Sequence, residues 1–213
     1  MKQSMWRNVS VLAGKALAMT AVAAALAVAI PGDPVAAQGP KFVPGVGLVG
    51  GSETGGSAFD KTKFPQDRAA LETAELRADF PKLGDDFEVM APASKDYNAF
   101  SYITGDQTHW VNPEMGTPDA PLARIDQIFA AAGFTRTTGL DFGLEAGKQK
   151  AVLYASLNPD GTIKEITSAA LQEHDGTWSS KLGSMALIRH HDPDALDGPV
   201  YGMPIAVYVR AAK

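Results

Sequence analysis

The chain of 213 residues contains no cysteine. That absence excludes disulfides, thiolate metal sites and a cysteine nucleophile. Histidine is scarce: His109, His174, His190 and His191 are the whole supply. Positive charge is in the minority, with 19 Lys+Arg against 24 Asp+Glu and a formal net charge of −5. Nucleic-acid binding normally needs a basic face, so nucleic acid is not an expected partner. Long apolar runs are also missing, with one exception near the amino terminus. At roughly 100–200 residues per domain, the length leaves room for one domain with extensions.

The exception reads as an export signal. Lys2, Arg7 and Lys15 make a positive start, and Ala16 to Ile30 is apolar but for Thr20. Pro31-Gly32-Asp33-Pro34 breaks the run, and Val35-Ala36-Ala37 supplies a small-residue cleavage pattern. The apolar core is 15 residues long, short of the roughly 20 needed to span a bilayer. A signal peptide over residues 1–37 is therefore expected, with periplasmic or secreted localisation and no membrane span after cleavage. Removal leaves 176 residues carrying 16 Lys+Arg and 23 Asp+Glu, a charge of −7. Such a balance disfavours unaided binding to polyanions.

Residues 38–57 read as a linker, since six of the 15 residues from Val43 to Ser57 are glycine. Gly45-Val46-Gly47-Leu48-Val49-Gly50 matches GxGxxG in form. A dinucleotide site needs a strand before that motif and a helix after it. Here Pro40 and Pro44 precede it and more glycine follows, so no cofactor is expected. Residues 58–213 are expected to form one domain.

Within that domain, Asp67 to Asp79 reads as a helix with Leu71, Ala74 and Ala78 on its apolar stripe. Leu83 to Pro92 reads as an extended connector. Tyr97 to Thr104 reads as a short helix stopped by Gly105, and Pro121 to Ala132 as a longer one. Leu122, Ile125, Phe129 and Ala132 share a face of the latter, with Gly133 at its end. Strand grammar follows Gly147. Gln149 to Leu157 and Thr162 to Leu171 form a hairpin about Asn158-Pro159-Asp160-Gly161. A third strand is placed near Trp178 and a last one over Tyr201 to Arg210. Helices first and an antiparallel sheet afterwards give α+β.

Chemistry-bearing clusters are few. His190-His191-Asp192-Pro193-Asp194 is the densest group of possible ligands. Adjacent strand residues point to opposite faces, so the two histidines do not share a metal easily. Asp192 and Asp194 begin a calcium-loop pattern that Leu196, Asp197 and Met203 break. A solvated turn with one packed histidine is expected there, and no metal site. No GxSxG occurs, and Ser101 reads as a polar serine on a helix face. Trp110 and Trp178 read as partly buried aromatics or a groove floor. Lys181 reads as a snorkelling surface lysine or an anion contact.

Several segments combine in a fixed order: Tyr97-Asn98-Ala99-Phe100-Ser101; Gly105-Asp106, Trp110 and Pro113; Ile166-Thr167-Ser168-Ala169-Ala170; Asp175 through Gly183; Ile188, His190 and Tyr201-Gly202. From about Lys95 to Arg210 this resembles an uncharacterised family of small bacterial domains related to papain-like, NlpC-type cysteine hydrolases. The resemblance implies a papain-like fold, with N-terminal helices on a small antiparallel sheet formed by the C-terminal half. In that family the first motif reads Tyr-Asn-Cys and the second Thr-His-Ala-Ala. A helix N-terminus stabilises a thiolate, and a strand histidine opposite it acts as base. Here those positions hold Ala99 and Ser168, so both catalytic groups are absent. Ser101, two residues on, is turned by about 200° from the nucleophile position.

The resemblance thus implies a pseudoenzyme whose remnant groove binds a peptide, cell-wall fragment or envelope protein. The groove candidates are Tyr97, Asn98, Trp110, Trp178, Lys181, His190 and Tyr201. Two alternatives stand beside it. One is a hydrolase using Ser101 with His190 or His109. The other is a structural envelope or secreted protein without a ligand.

Overall fold

The computed structural model describes residues 59–212, so the expected signal peptide and linker lie outside the described residues. The described chain is α+β. Its centre is the hairpin of β3 (Lys148–Leu157) and β4 (Ile163–Gln172). Ala151 to Ala155 are fully buried, so β3 is covered on both faces, as its unbroken apolar run requires. Around the hairpin stand β1 (Glu88–Ala91), β2 (Thr135–Arg136), β5 (Trp178–Lys181), β6 (Leu187–His190) and β7 (Met203–Ala211). The strand order is β1-β6-β5-β4-β3-β7-β2, and every pairing is antiparallel.

Two apolar clusters lie on opposite faces. Val152, Tyr154, Ala170 and Trp178 belong to one, with Leu71 and Phe80 from the first helical segment, Phe87 from the chain entering β1, and Leu196 packed on them. Ala151, Leu153, Ala169 and Ala206 belong to the other, under α3 (Ala99–Thr104) and α4 (Ala123–Ala131). Small side chains on the second face let Phe100, Ile103, Ile125 and Phe129 approach the sheet closely.

Several expectations are corrected. The single helix over 67–79 is two helices, α1 (Pro65–Leu71) and α2 (Ala74–Asp79). Thr73 breaks it: its Oγ1 accepts from Leu76 N at 3.4 Å and caps α2. The connector at 83–92 contains β1, an edge strand paired with β6. The sheet has seven strands and is not confined to the C-terminal half, because β1, which precedes α3, forms one of its edges; β2, just after α4, forms the other. Of the turn expected at 190–194, His190 is the last residue of β6, and Pro193 and Asp194 open a 3-10 turn over Pro193–Leu196. The three strands not expected, β1, β2 and β6, are four, two and four residues long. Among the described residues, no helix is long and apolar enough to cross a membrane.

Candidate functional site

The sheet parts in one place. β4 and β5 pair at Leu171 with Ser179 and at Gln172 with Trp178. Beyond that point Glu165 to Ser168 on β4 and Lys181 on β5 have no pairing with each other. The gap opens a cavity of about 340 Å³. The start of α3, the loop from Trp110 to Met115, Gly183 and Tyr201 complete its wall.

Backbone irregularity shapes this wall. Tyr154 pairs with Ser168 while Ala155 pairs with Ile166, so Thr167 is a bulge. Its Oγ1 donates to the Tyr201 carbonyl at 2.6 Å, which fixes the bulge to the chain entering β7. β7 bulges at the same level: Leu153 pairs with Ala206 and Tyr154 with Pro204, which skips Ile205. Proline has no donor to offer a ladder and suits such a position. Bulges re-aim side chains, and here they bring β4 and Tyr201 to one cavity.

The opposite wall is held by a cap. Asn98 Oδ1 accepts from Ser101 N at 3.2 Å, and Ser101 Oγ accepts from Asn98 N at 3.1 Å. The Asn98 amide also donates to the Val111 carbonyl at 2.5 Å and pins the loop to the helix. Trp110 follows the same loop, 44% exposed, with Nε1 donating to Asn112 Oδ1 at 2.8 Å. Its indole therefore stands oriented at the cavity rim.

Lys181 and Ser168 differ sharply in their commitments. Lys181 is fully buried, and its Nζ donates to the carbonyls of Ser94, Gly183 and Met185 at 2.9, 2.6 and 2.6 Å. All three protons of the ammonium are used, and it also lies 5.0 Å from the Tyr97 ring centre. Burial pushes its pKa down to about 8, and nearby Asp96 opposes that shift. Ser168 is 1% exposed, and its Oγ has no hydrogen-bond partner. Burial pushes the neighbouring Tyr201 phenol up to about 12. The Ser168 side chain and the Gly183 backbone temper that rise, so the two hydroxyls are close without an aligned bond.

Four groove candidates, Asn98, Trp110, Lys181 and Tyr201, line this cavity together with Ala99 and Ser168. Three do not. Tyr97 is buried beneath Lys181, and Trp178 sits in the first apolar cluster, edge-on to Phe142 at 6.2 Å. His190 is sealed between Ser180 Oγ at 2.9 Å and the Asp192 carbonyl at 2.7 Å. A carbonyl only accepts, so Nδ1 carries the proton and Nε2 accepts from Ser180. This Ser–His pair has the distance of a nucleophile and base, but both residues are wholly buried. Burial pushes the imidazole down to about 4.

Ala99 and Ser168 reach the cavity from different sides. Ala99 belongs to the cluster under α3, while Ser168 pairs across from Tyr154 of the other cluster. The gap between β4 and β5 lets both border one space. Ser101 is fully buried and spent in the helix cap, with no opening to the cavity. His109 is exposed and paired with Asp106 at 2.9 Å. His191 points outward to Asp86 at 2.7 Å, away from His190. Among the described residues no three His, Asp or Glu side chains converge to hold a metal.

Glu165, Thr167, Asn112 and Met115 also line the cavity. Sequence reading missed them because nothing local marks a bulge or the parting of two strands.

Residues 88–209 match the family described as a domain of unknown function, DUF7689. The chain belongs to that family. The DUF7689 segment begins at the first residue of β1 and ends within β7, so it holds the sheet but for the last two residues of β7, and every residue lining this cavity. It leaves α1 and α2 outside. The family description carries no link to cysteine hydrolases. Comparison with curated proteins and with solved structures returns no match.

Proposed function

We propose that this DUF7689 chain is an exported, non-catalytic module of papain-like ancestry that binds a small ligand in the cavity between β4 and β5. One observation carries the reading. Ala99 and Ser168, which hold the thiol and imidazole positions in the resemblance, border a single cavity with a buried, unpartnered hydroxyl in its wall. A helix start facing a strand across a groove is the arrangement a cysteine–histidine pair requires. An alanine methyl and a serine hydroxyl supply neither nucleophile nor base of that kind. The exposed Trp110 at the rim supports binding, since an oriented indole offers apolar area at little entropic cost. The alternative hydrolase built on Ser101 loses support, because that hydroxyl is committed to the helix cap.

Two measurements test this. Thermal shifts of the purified protein against short peptides and glycans should rise by several degrees with one class. No shift with either would remove the binding reading and favour a structural role. Ancestry is tested by restoration: Ala99→Cys with Ser168→His should create a thiol that alkylates faster near neutral pH than Ala99→Cys alone. Equal rates would mean that the two positions do not oppose one another. Export is tested by intact mass of the protein from its source cell envelope, which should begin at Gln38.

A further inference from the structure

The cavity between β4 and β5 is one-sided in charge. Lys181 is the only cation bordering it among the described residues, and all of its protons are taken by backbone carbonyls. Glu165 also borders it, is exposed, and forms no ion pair among the described residues. An anionic ligand would therefore meet a carboxylate with no free cation to offset it. The buried Ser168 hydroxyl has lone pairs to offer, and its own proton can turn toward the adjacent Tyr201 oxygen. The exposed face of Trp110 completes the rim, and indole is the best side chain for attracting a cation.

We propose that the cavity takes a ligand through a primary ammonium group, with Glu165 as counter-charge, Ser168 Oγ as acceptor and Trp110 as the aromatic face. This rests on the binding reading above and adds the chemical class of the ligand. A volume of about 340 Å³ holds roughly ten waters and suits one residue or one sugar ring. The ammonium therefore belongs to a peptide amino terminus or to an amino sugar.

The test is calorimetric titration of the purified full chain with glycinamide and glucosamine, beside N-acetylglycinamide, N-acetylglucosamine and acetate. The free amines should bind and the other three should not. The stronger of glycinamide and glucosamine identifies the source. Glu165→Gln should weaken amine binding about three- to fivefold, in keeping with a solvent-facing ion pair. Ser168→Ala should weaken it as well, with an unchanged far-ultraviolet spectrum. Acetylated probes binding as tightly as the amines, or an unaffected Glu165→Gln variant, would overturn the ammonium assignment and leave a binding cavity in place. Tighter binding of acetate would overturn it too. Silence with all five probes would also overturn it. The separate peptide and glycan screen would then decide whether the cavity binds anything.

Discussion

At the scale of single residues, the buried polar side chains of this protein divide into committed and uncommitted groups. His190 is committed as a neutral ring, and its pKa is held near 4 by burial against about 6.5 in the unfolded chain. Between those values the unfolded state binds more protons, so acid favours unfolding. The stabilising contribution is complete above about pH 6.5 and is lost as pH falls toward 4. Unfolding by urea should show stability dropping by roughly 2 kcal/mol between pH 6.5 and 5. His190→Gln should flatten that slope, and an unchanged slope would assign it to other groups. Lys181 is committed as a cation that ties together three carbonyls. Lys181→Met removes three donors from buried acceptors and should cost about 3 kcal/mol in denaturant unfolding. A loss below about 1 kcal/mol would mean that water replaces the ammonium. The sequence offered two other pictures of Lys181, a snorkelling surface lysine or an anion contact, because Trp178-Ser179-Ser180-Lys181 does not reveal that β5 is buried on both faces.

At the scale of elements, the legible ones carried their own punctuation. Gly105 and Gly133 end α3 and α4 with φ of 85° and 86°, and Asn158 to Gly161 turn the central hairpin. Of the unrecognised strands, β1 and β6 also follow glycines of positive φ, Gly84 and Gly183, but four residues each are too few to establish a period. Glu88 of β1 is buried yet charged, paired with Lys63 at 2.7 Å and Arg189 at 2.9 Å, which hides its strand alternation. The entry to β7 is packed tightly against the backbone of β3. Gly202 has φ of 71°, and a Cβ there would stand 2.0 Å from the Ala155 carbonyl oxygen. Gly202→Ala should therefore cost more than about 2 kcal/mol, from a strained conformation and a backbone clash together. It should also release the Thr167 bulge and abolish ligand binding. A variant of unchanged melting temperature would show that β3 and β7 can separate without cost.

At the scale of the whole molecule, one sheet supports two apolar clusters, and neither can lose its floor without the other. Melting followed by near- and far-ultraviolet circular dichroism should give one coincident transition. Trp178→Ala opens a large hole in the first cluster and should lower both signals together, by about 3–5 kcal/mol. Separate transitions would mean that the α3–α4 face folds independently. The sequence by itself determined the α+β class, the β3–β4 hairpin, the two capped helices and the absence of any thiol, because each depends on neighbours a few residues apart. The resemblance to cysteine hydrolases, and no local pattern, brought Ala99 and Ser168 forward as a pair of interest. Tertiary structure alone decided which groove candidates border the cavity, why His190 and Trp178 do not, and that Lys181 is spent while Ser168 is free. Those facts arise where β4 and β5 part, and that parting is set by pairings between residues far apart in the chain.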